Sequence, residues 1–362
     1  MDGWNRRELG LVATAAALVF SRVFGLSVVL PNFREHYEGL GSGLAIGVAF
    51  GAYGLTMALM QLPSGWLSDK VGRKPMLLVA TTFFVLGSLL AGVADNMATL
   101  IAGRLLQGMG AISSIAMAAV GETLPAERRT TGMALVGIPA GAGFLLGIGV
   151  GPALYPVIDM EGLFFLSAVL GLLAFLPSLG LRFEPPRHAP KGAIPWRPVL
   201  ALALAGFVSN YALTTTLFYL PTTDWKVLAP LLATAFILVG GVSRMIDKAG
   251  WTFGPVAVGL VVVAAAAAGF ALLGGIGALL VGGVFFTSHA ILQSTLPSQV
   301  SRVAGVAGGR GHGIQNVVAY FGTFLAGSIA GWLVPWTGAA FVVLGALAVA
   351  AAGNVLLARP KA

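Results

Sequence analysis

The sequence contains no cysteine and very few charged residues. Without cysteine, the chain can form no disulfide and offers no thiolate for catalysis or metal binding. Only 9% of its 362 residues are charged, whereas a soluble domain carries roughly 25%. Because 57% of the residues are hydrophobic, most of the surface cannot face water and must face lipid instead. The shortage of charged residues, with the high hydrophobic content, predicts a polytopic membrane protein.

The chain also lacks the motifs of ATP-driven pumps and of intramembrane enzymes. No lysine follows a glycine, so a Walker A loop is missing and an ATP-driven pump is excluded. All 13 acidic residues are predicted to lie in termini, loops or helix ends. The spans therefore lack the carboxylate clusters that an intramembrane enzyme or a metal site would need. We expect no catalytic residues, no metal and no cofactor.

Apolar runs long enough to cross a membrane recur along the chain. A helix that crosses the hydrocarbon core needs about 20 apolar residues. The sequence predicts an all-α membrane protein with twelve transmembrane helices, of which the first is retained and not cleaved as a signal peptide. The predicted spans lie near residues 9–32, 43–67, 75–95, 98–121, 131–157, 162–182, 198–220, 226–246, 252–273, 275–295, 303–334 and 336–357.

Basic residues fall almost entirely on one side of these spans. Lysine and arginine are enriched in cytoplasmic loops, so their positions predict that both termini are cytoplasmic. Only Arg34 and Lys226 fall on the outer side, while Arg22, Arg104 and Arg310 fall within spans. This distribution explains the net charge of +8 without any nucleic-acid partner. The inner-side residues are Arg6, Arg7, Lys70, Arg73, Lys74, Arg128, Arg129, Arg182, Arg187, Lys191, Arg197, Arg244, Lys248, Arg302, Arg359 and Lys361.

Short matches at corresponding places indicate an internal repeat. The letters DKVG at 69–72 match DKAG at 247–250, and TLP at 123–125 matches TLP at 295–297. A repeat of six helices predicts two pseudo-symmetric bundles, with a substrate site between them near the membrane midplane. The predicted parts are an N-terminal bundle over 1–182, a basic and proline-rich cytoplasmic linker over 183–197, and a C-terminal bundle over 198–362.

The loop after the second span carries the most specific motif of the chain. It reads GWLSDKVGRK and resembles the signature loop of the major facilitator superfamily of secondary transporters. Gly72 is expected to permit a tight turn, and Gly65 to allow close helix packing. Asp69 is placed to form an ion pair with Arg73. The resemblance covers nearly the whole chain and implies the twelve-helix major facilitator fold.

The fourth span carries further residues of the resemblance. Glu122 closes this span, and in the related family an acid here joins Asp69 and Arg73 in a charge network. The resemblance implies that this network acts as a conformational latch on the cytoplasmic side; a solvated surface cluster is the alternative. The letters GRLLQGMG resemble the family's second motif, in which Arg104 and Gln107 share one helix face.

The fifth span contains the letters GFLLGIGVGP. Gly143, Gly147 and Gly151 recur at four-residue steps and are followed by Pro152, a spacing that lets two helix backbones approach closely. The pattern resembles the antiporter motif of the drug/proton exporter branch. The chain departs from that motif afterwards, because it reads ALY where the family has a glycine pair. Generic helix packing is the alternative interpretation.

The deep ionisable residues of the first half are basic. At a rise of about 1.5 Å per residue, Arg22 and Arg104 are predicted to share a depth. Drug/proton exporters usually keep an acid in the first half, and this chain has none there. The two arginines therefore need other partners, such as Gln107, backbone carbonyls, water or an anionic substrate, for which arginine offers a fork of donors. A structural or proton-path role is the alternative.

Two histidines in the second half are the best substitutes for the missing carboxylate, because histidine titrates near neutral pH. His289 and Gln293 are spaced i and i+4, and His312 shares a face with Asn316. Helix-contact histidines that stay neutral are the alternative. The predicted substrate or proton path consists of Arg22, Arg104, Gln107, Asn210, His289, Gln293, Arg310, His312 and Asn316.

Together these patterns predict a secondary active transporter that moves a small molecule by alternating access. A proton-coupled exporter similar to drug or metabolite antiporters is the leading interpretation. The alternative is a symporter or uniporter for an anionic metabolite; an intramembrane enzyme, a channel or a non-transporting receptor is more remote. The expected partners are the lipid bilayer, a small-molecule substrate and protons. We expect a monomer in the plasma (inner) membrane.

Overall fold

The computed structural model describes residues 4–110, 112–180, 193–219, 241–242, 245–246, 249, 253–273, 275–305 and 308–358. Within these ranges the chain is α-helical with short connections, and no strand occurs there. The helices of the first half are α1 (Arg6–Ser27), α2 (Leu30–Tyr37), α3 (Gly43–Val71), α4 (Arg73–Gly92), α5 (Met97–Gly108), α6 (Ile112–Thr123) and α7 (Ala126–Ser178). Those of the second half are α8 (Trp196–Tyr219), α9 (Phe253–Leu272), α10 (Gly275–Ala304), α11 (Gly308–Trp332) and α12 (Thr337–Leu357).

Helix starts follow from local capping. Asn5 precedes α1, and its side-chain oxygen accepts a hydrogen bond of 2.8 Å from the backbone N–H of Glu8. The Glu8 carboxylate in turn accepts from the Asn5 N–H at 3.0 Å, which completes a reciprocal capping box. Asn96 caps α5 in the same way by accepting from the Thr99 N–H at 2.9 Å. These caps fix where each helix enters the bundle.

Eight helices of the described ranges are long and apolar enough to cross a membrane. Every predicted span coincides with a described helix except 226–246, which lies almost entirely outside the described residues. The break predicted between the spans 131–157 and 162–182 is confirmed, because the backbone inside α7 leaves helical geometry at Asp159 and two helices meet there across a kink. A boundary in the second half was wrong. The span predicted to end at residue 295 continues through Pro297 to Ala304.

The chain divides into two compact units. The first unit comprises residues 1–40 and 59–188, and the second comprises 41–58 and 189–362. The first part of α3 thus belongs to the second unit. There a Cβ on Gly47 would meet the backbone carbonyl of Gly327, so the two helix backbones touch. The division into bundles at the linker over 183–197 stays a prediction, because most of that segment lies outside the described residues.

Small residues set the closest helix contacts of each unit. In the first unit α1 packs along α7, and α4 packs against α5. A Cβ on Gly87 of α4 would lie 2.7 Å from the carbonyl oxygen of Gly103 on α5. In the second unit α8 packs against α11, where a Cβ on Gly322 would lie 2.5 Å from the carbonyl oxygen of Phe207. Such contacts hold helices together where lipid gives no hydrophobic drive.

Large apolar side chains remain on the surface of both units. Val157 is 76% exposed and Leu272 is 82% exposed. Trp66 and Trp196, near the ends of their helices, are also exposed, and tryptophan is enriched at the membrane–water interface. These exposed apolar side chains suit contact with acyl chains, in agreement with the membrane class predicted from the composition.

Candidate functional site

The turn between α3 and α4 depends on Gly72. Its φ of 97° lies in the left-handed region, which glycine enters without the steric cost that a Cβ adds. The turn lets α4 begin at Arg73 directly after α3 ends at Val71. The expected role of Gly65 in close packing is wrong here, because no atom of the described residues lies within 4 Å of the place where its Cβ would be.

Arg73 is shared by two carboxylates. Its Nε and Nη2 donate to the two carboxylate oxygens of Glu122 at 2.9 Å and 2.6 Å. Its Nη1 lies 2.7 Å from Asp69 Oδ1 and also donates to the hydroxyl of Ser68. The paired fork to Glu122 is the strong geometry for arginine and carboxylate. The structure thus brings together Asp69, Arg73 and Glu122, the charged residues of the predicted latch, within the first unit.

A second ion pair joins the start of α1 to the start of α7. Arg128 Nη1 lies 2.6 Å from the carboxylate of Glu8. The guanidinium of Arg128 also lies 5.9 Å from the ring centroid of Trp4, within range of a cation–π contact. The sequence analysis missed this pair because hydropathy and charge counts do not show which helices are neighbours.

Arg104 is fully buried and belongs to a hydrogen-bonded chain of side chains. Its Nη1 donates to the side-chain oxygen of Gln107 at 2.8 Å, and the Gln107 amide donates to the Ser88 hydroxyl at 2.8 Å. The guanidinium also lies 5.6 Å from the ring centroid of Phe33. The close approach of α4 and α5 brings Ser88 within reach of Gln107.

Arg22 is also buried, in the second half of α1. Its exposed fraction is 2%, and that of Arg104 is 0%. Neither arginine therefore lies on the apolar surface of the unit, and a buried arginine within a membrane protein is expected to face the bundle interior or a water-filled cavity. The predicted equal depth of the two side chains stays a prediction.

The glycine face of α7 lies against α1. A Cβ on Gly147 would lie 2.9 Å from the carbonyl oxygen of Phe24, and a Cβ on Gly151 would meet the carbonyl oxygen of Val28. Pro152 follows inside the helix. The residues expected from the antiporter motif therefore make a backbone-to-backbone contact between the helices that correspond to the first and fifth predicted spans.

A polar network crosses the second unit. The Ser209 hydroxyl lies 3.0 Å from His289 Nδ1, and the Gln293 amide nitrogen lies 3.5 Å from His289 Nε2. The same amide donates to Asn210, whose own amide donates to the Ala319 carbonyl at 3.2 Å. If the Gln293 amide donates to Nε2, His289 is neutral and its Nδ1–H donates to Ser209. Side chains of α8 and α10 thus form one network with the backbone of α11, and His289 is part of it.

The remaining predicted residues lie near the start of α11. His312 Nε2 lies 2.8 Å from the hydroxyl of Ser301, which connects α11 to the end of α10. Arg310 lies in the first turn and is exposed, while Asn316 is half-buried one turn after His312. His312 thus contacts Ser301, whereas His289 contacts Ser209 and Gln293.

One polar cluster of the first unit has no counterpart in the sequence analysis. His36 Nδ1 lies 3.0 Å from the Tyr155 hydroxyl, and His36 Nε2 lies 3.6 Å from the Glu161 carboxylate. His36 belongs to α2, while its two partners flank the kink of α7. No local pattern signals this cluster, because His36 and Tyr155 are more than a hundred residues apart in sequence. Within the described ranges, no group of three or more acidic or histidine side chains could hold a metal ion.

Comparison with protein families gives a match over most of the chain. Residues 12–319 match the sequence profile of the Major Facilitator Superfamily. The chain is similar to the inner membrane transport protein YajR of Escherichia coli, with 29% identity over 87% of this chain and 75% of that protein. It is also similar to the quinolone resistance protein NorA of Staphylococcus aureus, with 22% identity over 87% of each chain.

A solved structure gives the same fold. A POT family transporter, determined in complex with 5-aminolevulinic acid, aligns with a TM-score of 0.75 over 97% of this chain and 95% of that chain. The sequence identity of 11% means that this likeness shows the fold alone. With the family match, it confirms the predicted all-α major facilitator fold.

Proposed function

The chain belongs to the Major Facilitator Superfamily and is a multi-pass membrane transporter, not an enzyme; from that premise we propose that it exports a small molecule in exchange for protons. The proposal includes placement in the inner membrane, with both termini on the cytoplasmic side. Proton entry from outside would then drive substrate exit by alternating access.

The contact between α1 and the glycine face of α7 carries this proposal. Gly147 and Gly151 allow the backbones of the two helices to touch, in a segment that resembles the antiporter motif of drug/proton exporters. Similarity to a quinolone resistance protein over 87% of the chain supports export of a drug-like or metabolite-like molecule. A tight helix contact at this place would limit leakage of protons along α1 while the transporter cycles.

The network around His289 is the proposed carrier of the transported proton. The imidazole is buried, bonded to Ser209 and near Gln293, and its ring nitrogens change from acceptor to donor when a proton binds. Protonation would turn the Nε2 acceptor into a donor, so the Gln293 amide would have to turn away. That rearrangement would couple proton binding to the contact between α8 and α10.

The ion cluster of Asp69, Arg73 and Glu122 is the proposed latch. Its bidentate bond holds the start of α4 to the end of α6. Opening of the transporter on this side would require the exposed Asp69 bond to break first, because water can replace that carboxylate more easily than the buried one. The latch would therefore stabilise one state of the transport cycle without contacting the substrate, so that weakening it impairs cycling.

A symporter or uniporter for an anionic metabolite is the second candidate. The observation that favours it is the burial of two permanent cations, Arg22 and Arg104, in one unit. A carboxylate or phosphate substrate would receive bidentate hydrogen bonds from a guanidinium. The substitution Arg104→Ala should abolish transport in either mechanism, so it cannot separate the two candidates.

A flux experiment with purified protein in proteoliposomes separates them. A quinolone and a dicarboxylate are tested as probes, each with and without an imposed proton gradient, and the internal pH is followed with a trapped dye. Antiport predicts that a gradient accelerates quinolone flux toward the acidic side and that each transport event moves protons away from that side. Equal quinolone flux with and without the gradient would remove the antiport proposal. Gradient-independent uptake of the dicarboxylate would support the second candidate.

A further inference from the structure

A small titratable cluster lies in the first unit at the opposite end from the latch. The imidazole of His36, at the end of α2, contacts the Tyr155 hydroxyl with Nδ1 and approaches Glu161 with Nε2. The His36 ring also meets the Tyr155 ring edge-on, with centroids 5.8 Å apart. The His36 side chain is only 20% exposed, whereas Glu161 is 51% exposed. The cluster is thus partly enclosed and remains open to solvent through Glu161.

The backbone beside this cluster is strained. Asp159 lies between Tyr155 and Glu161 and has φ 54° and ψ −175°. This conformation belongs to a region that glycine occupies and that costs other residues about 1–3 kcal/mol. Strain of this kind persists where surrounding contacts hold the backbone in place, and the contacts of His36 with both flanks of the kink are of that type.

A series of aromatic contacts runs from the cluster to the buried arginine. The His36 and Tyr37 rings meet edge-on, with centroids 4.6 Å apart. The Tyr37 ring lies 4.9 Å from the Phe33 ring, whose centroid lies 5.6 Å from the Arg104 guanidinium. The cluster and Arg104 are thus connected by ring contacts within the first unit.

We propose that His36, Tyr155 and Glu161 form a proton-binding site that sets the bend of α7 at Asp159. The site is separate from the network around His289. Its placement on the outer face, where it would take protons from outside, rests on the proposed function and on the proposed cytoplasmic position of the N-terminus.

The hydrogen bonds define where the proton goes. In the neutral cluster, the Tyr155 hydroxyl donates to His36 Nδ1, and Nε2–H points toward the Glu161 carboxylate. An added proton binds at Nδ1, so both ring nitrogens become donors and the Tyr155 hydroxyl must turn its hydrogen elsewhere. The cationic ring then faces the Glu161 carboxylate and strengthens the attraction between α2 and α7. Protonation thus changes the bonds on both flanks of the kink.

Other acidic groups lie near the Tyr155 hydroxyl. Asp159 and Glu35, as well as Glu161, act on it electrostatically. The nearest cation on the same helix, Arg34, is 3.4 Å from Glu38 and is bound in a separate ion pair. The charged and titratable groups that surround His36 are Arg34, Glu35, Tyr37, Glu38, Tyr155, Asp159 and Glu161.

The absence of cysteine in this chain allows a direct test. A single cysteine is introduced by Ile158→Cys beside the kink, and a reference cysteine by Val93→Cys in the turn after α4; both native side chains are exposed. Labelling by a maleimide is measured in proteoliposomes at about pH 6 and about pH 8, on either side of the range in which imidazole titrates. At each pH, the labelling rate at position 158 is divided by the labelling rate at position 93. This ratio cancels the pH dependence of thiol reactivity itself.

The proposal predicts that this ratio changes at least about threefold between the two pH values, because a proton shifts the bend of α7. The change should disappear in His36→Gln and in Tyr155→Phe, and persist in Glu38→Gln, which removes only the neighbouring ion pair. All variants are first compared by size-exclusion profile. A ratio that does not depend on pH, or a dependence that survives His36→Gln, overturns the proposal.

A flux measurement keeps this proposal apart from the proposed function. With the quinolone probe and an acidic outer side, His36→Gln should reduce gradient-driven flux about fivefold, a coupling of ordinary size between two sites. Unchanged flux in this variant would remove the role of the cluster in transport while leaving antiport in place. Absence of gradient-driven flux in the native chain would remove antiport, and the labelling ratio alone would then decide whether the cluster binds protons.

Discussion

At the scale of single residues, one guanidinium serves two carboxylates of very different exposure. The Asp69 side chain is 60% exposed, whereas that of Glu122 is 16% exposed and receives two hydrogen bonds from Arg73. Exposed ion pairs contribute at most about 1 kcal/mol. Removal of one partner from a buried pair leaves an uncompensated charge and costs about 3 kcal/mol or more. The two acids are therefore expected to have different roles.

The substitution Glu122→Gln should lower the thermal unfolding midpoint of the purified transporter by several degrees, and Asp69→Asn should barely change it. Asp69→Asn should instead slow transport while leaving probe binding intact, because it weakens the solvent-facing part of the latch. Thermal unfolding and flux are measured on both variants. Glu127→Gln is the control, since Glu127 is an exposed acid of the same connection. Native turnover in Asp69→Asn would contradict the latch.

A second prediction at this scale concerns the strained residue of α7. Asp159 is the one non-glycine residue with positive φ among the described residues. Asp159→Gly should stabilise the protein relative to Asp159→Ala by about 1 kcal/mol, because only glycine adopts this conformation without steric cost. Unfolding midpoints of the two variants are compared in the same buffer. Equal midpoints would show that the backbone at residue 159 carries no strain.

At the scale of secondary-structure elements, the α1–α7 contact depends on the absence of side chains. Gly151→Ala places a methyl group against the carbonyl of Val28. At Gly137 of the same helix, a Cβ would have no atom of the described residues within 4 Å. Gly137→Ala is therefore a matched control with the same chemical change. We expect Gly151→Ala to lower stability and gradient-driven flux, and Gly137→Ala to be neutral or stabilising by about 0.5–1 kcal/mol.

Proton leak gives the most direct readout of this contact. Proteoliposomes with Gly151→Ala should lose an imposed pH gradient faster than those with Gly137→Ala, in the absence of any probe. The prediction follows from the proposal that tight packing of α1 against α7 limits leakage. Equal leak rates, together with equal unfolding midpoints, would show that the glycine spacing has no role in this helix contact.

The elements also show which features a sequence can predict. Long apolar runs require helices in lipid because every backbone N–H and C=O must be bonded internally, so the helix positions followed from hydropathy. The polar residues Asp159 and Glu161 interrupt the apolar run, which is why a break was predicted where the backbone does leave helical geometry. The extension of α10 through Pro297 was missed because proline lacks a donor yet is tolerated where neighbours supply bonds.

The candidate site was predicted only where its residues are close in sequence. Arg104 with Gln107, and Asp69 with Arg73, are spaced three and four residues apart, a separation that brings side chains together on any helix. Glu122 was added by family resemblance. Contacts of His36 with Tyr155, and of Glu8 with Arg128, depend on which helices become neighbours. Lateral packing of apolar helices is set by small-residue contacts along their whole length, which no single spacing reveals.

At the scale of the whole molecule, the positions of the basic residues predict the orientation of the chain in the membrane. Sixteen basic residues are assigned to one side of the membrane and two, Arg34 and Lys226, to the other. The positive-inside rule then predicts that both termini lie in the cytoplasm. Direction matters for mechanism, because an inverted chain would present the latch to the outside and the cluster around His36 to the cytoplasm. Proton flow would then reach the two sites in the opposite order.

Single-cysteine labelling of the cysteine-free chain tests this orientation. Val93→Cys lies in the turn after α4, Glu127→Cys at the start of α7 and Trp196→Cys at the start of α8; all three native side chains are exposed. In right-side-out membrane vesicles, an impermeant maleimide should label position 93 at once. Positions 127 and 196 should react only after the vesicles are permeabilised, because the basic segments around them are held inside. The reverse pattern would invert the topology and with it the proposed direction of export. Equal labelling of all three positions would show that the chain inserts in both orientations. In that case its charge asymmetry does not decide topology.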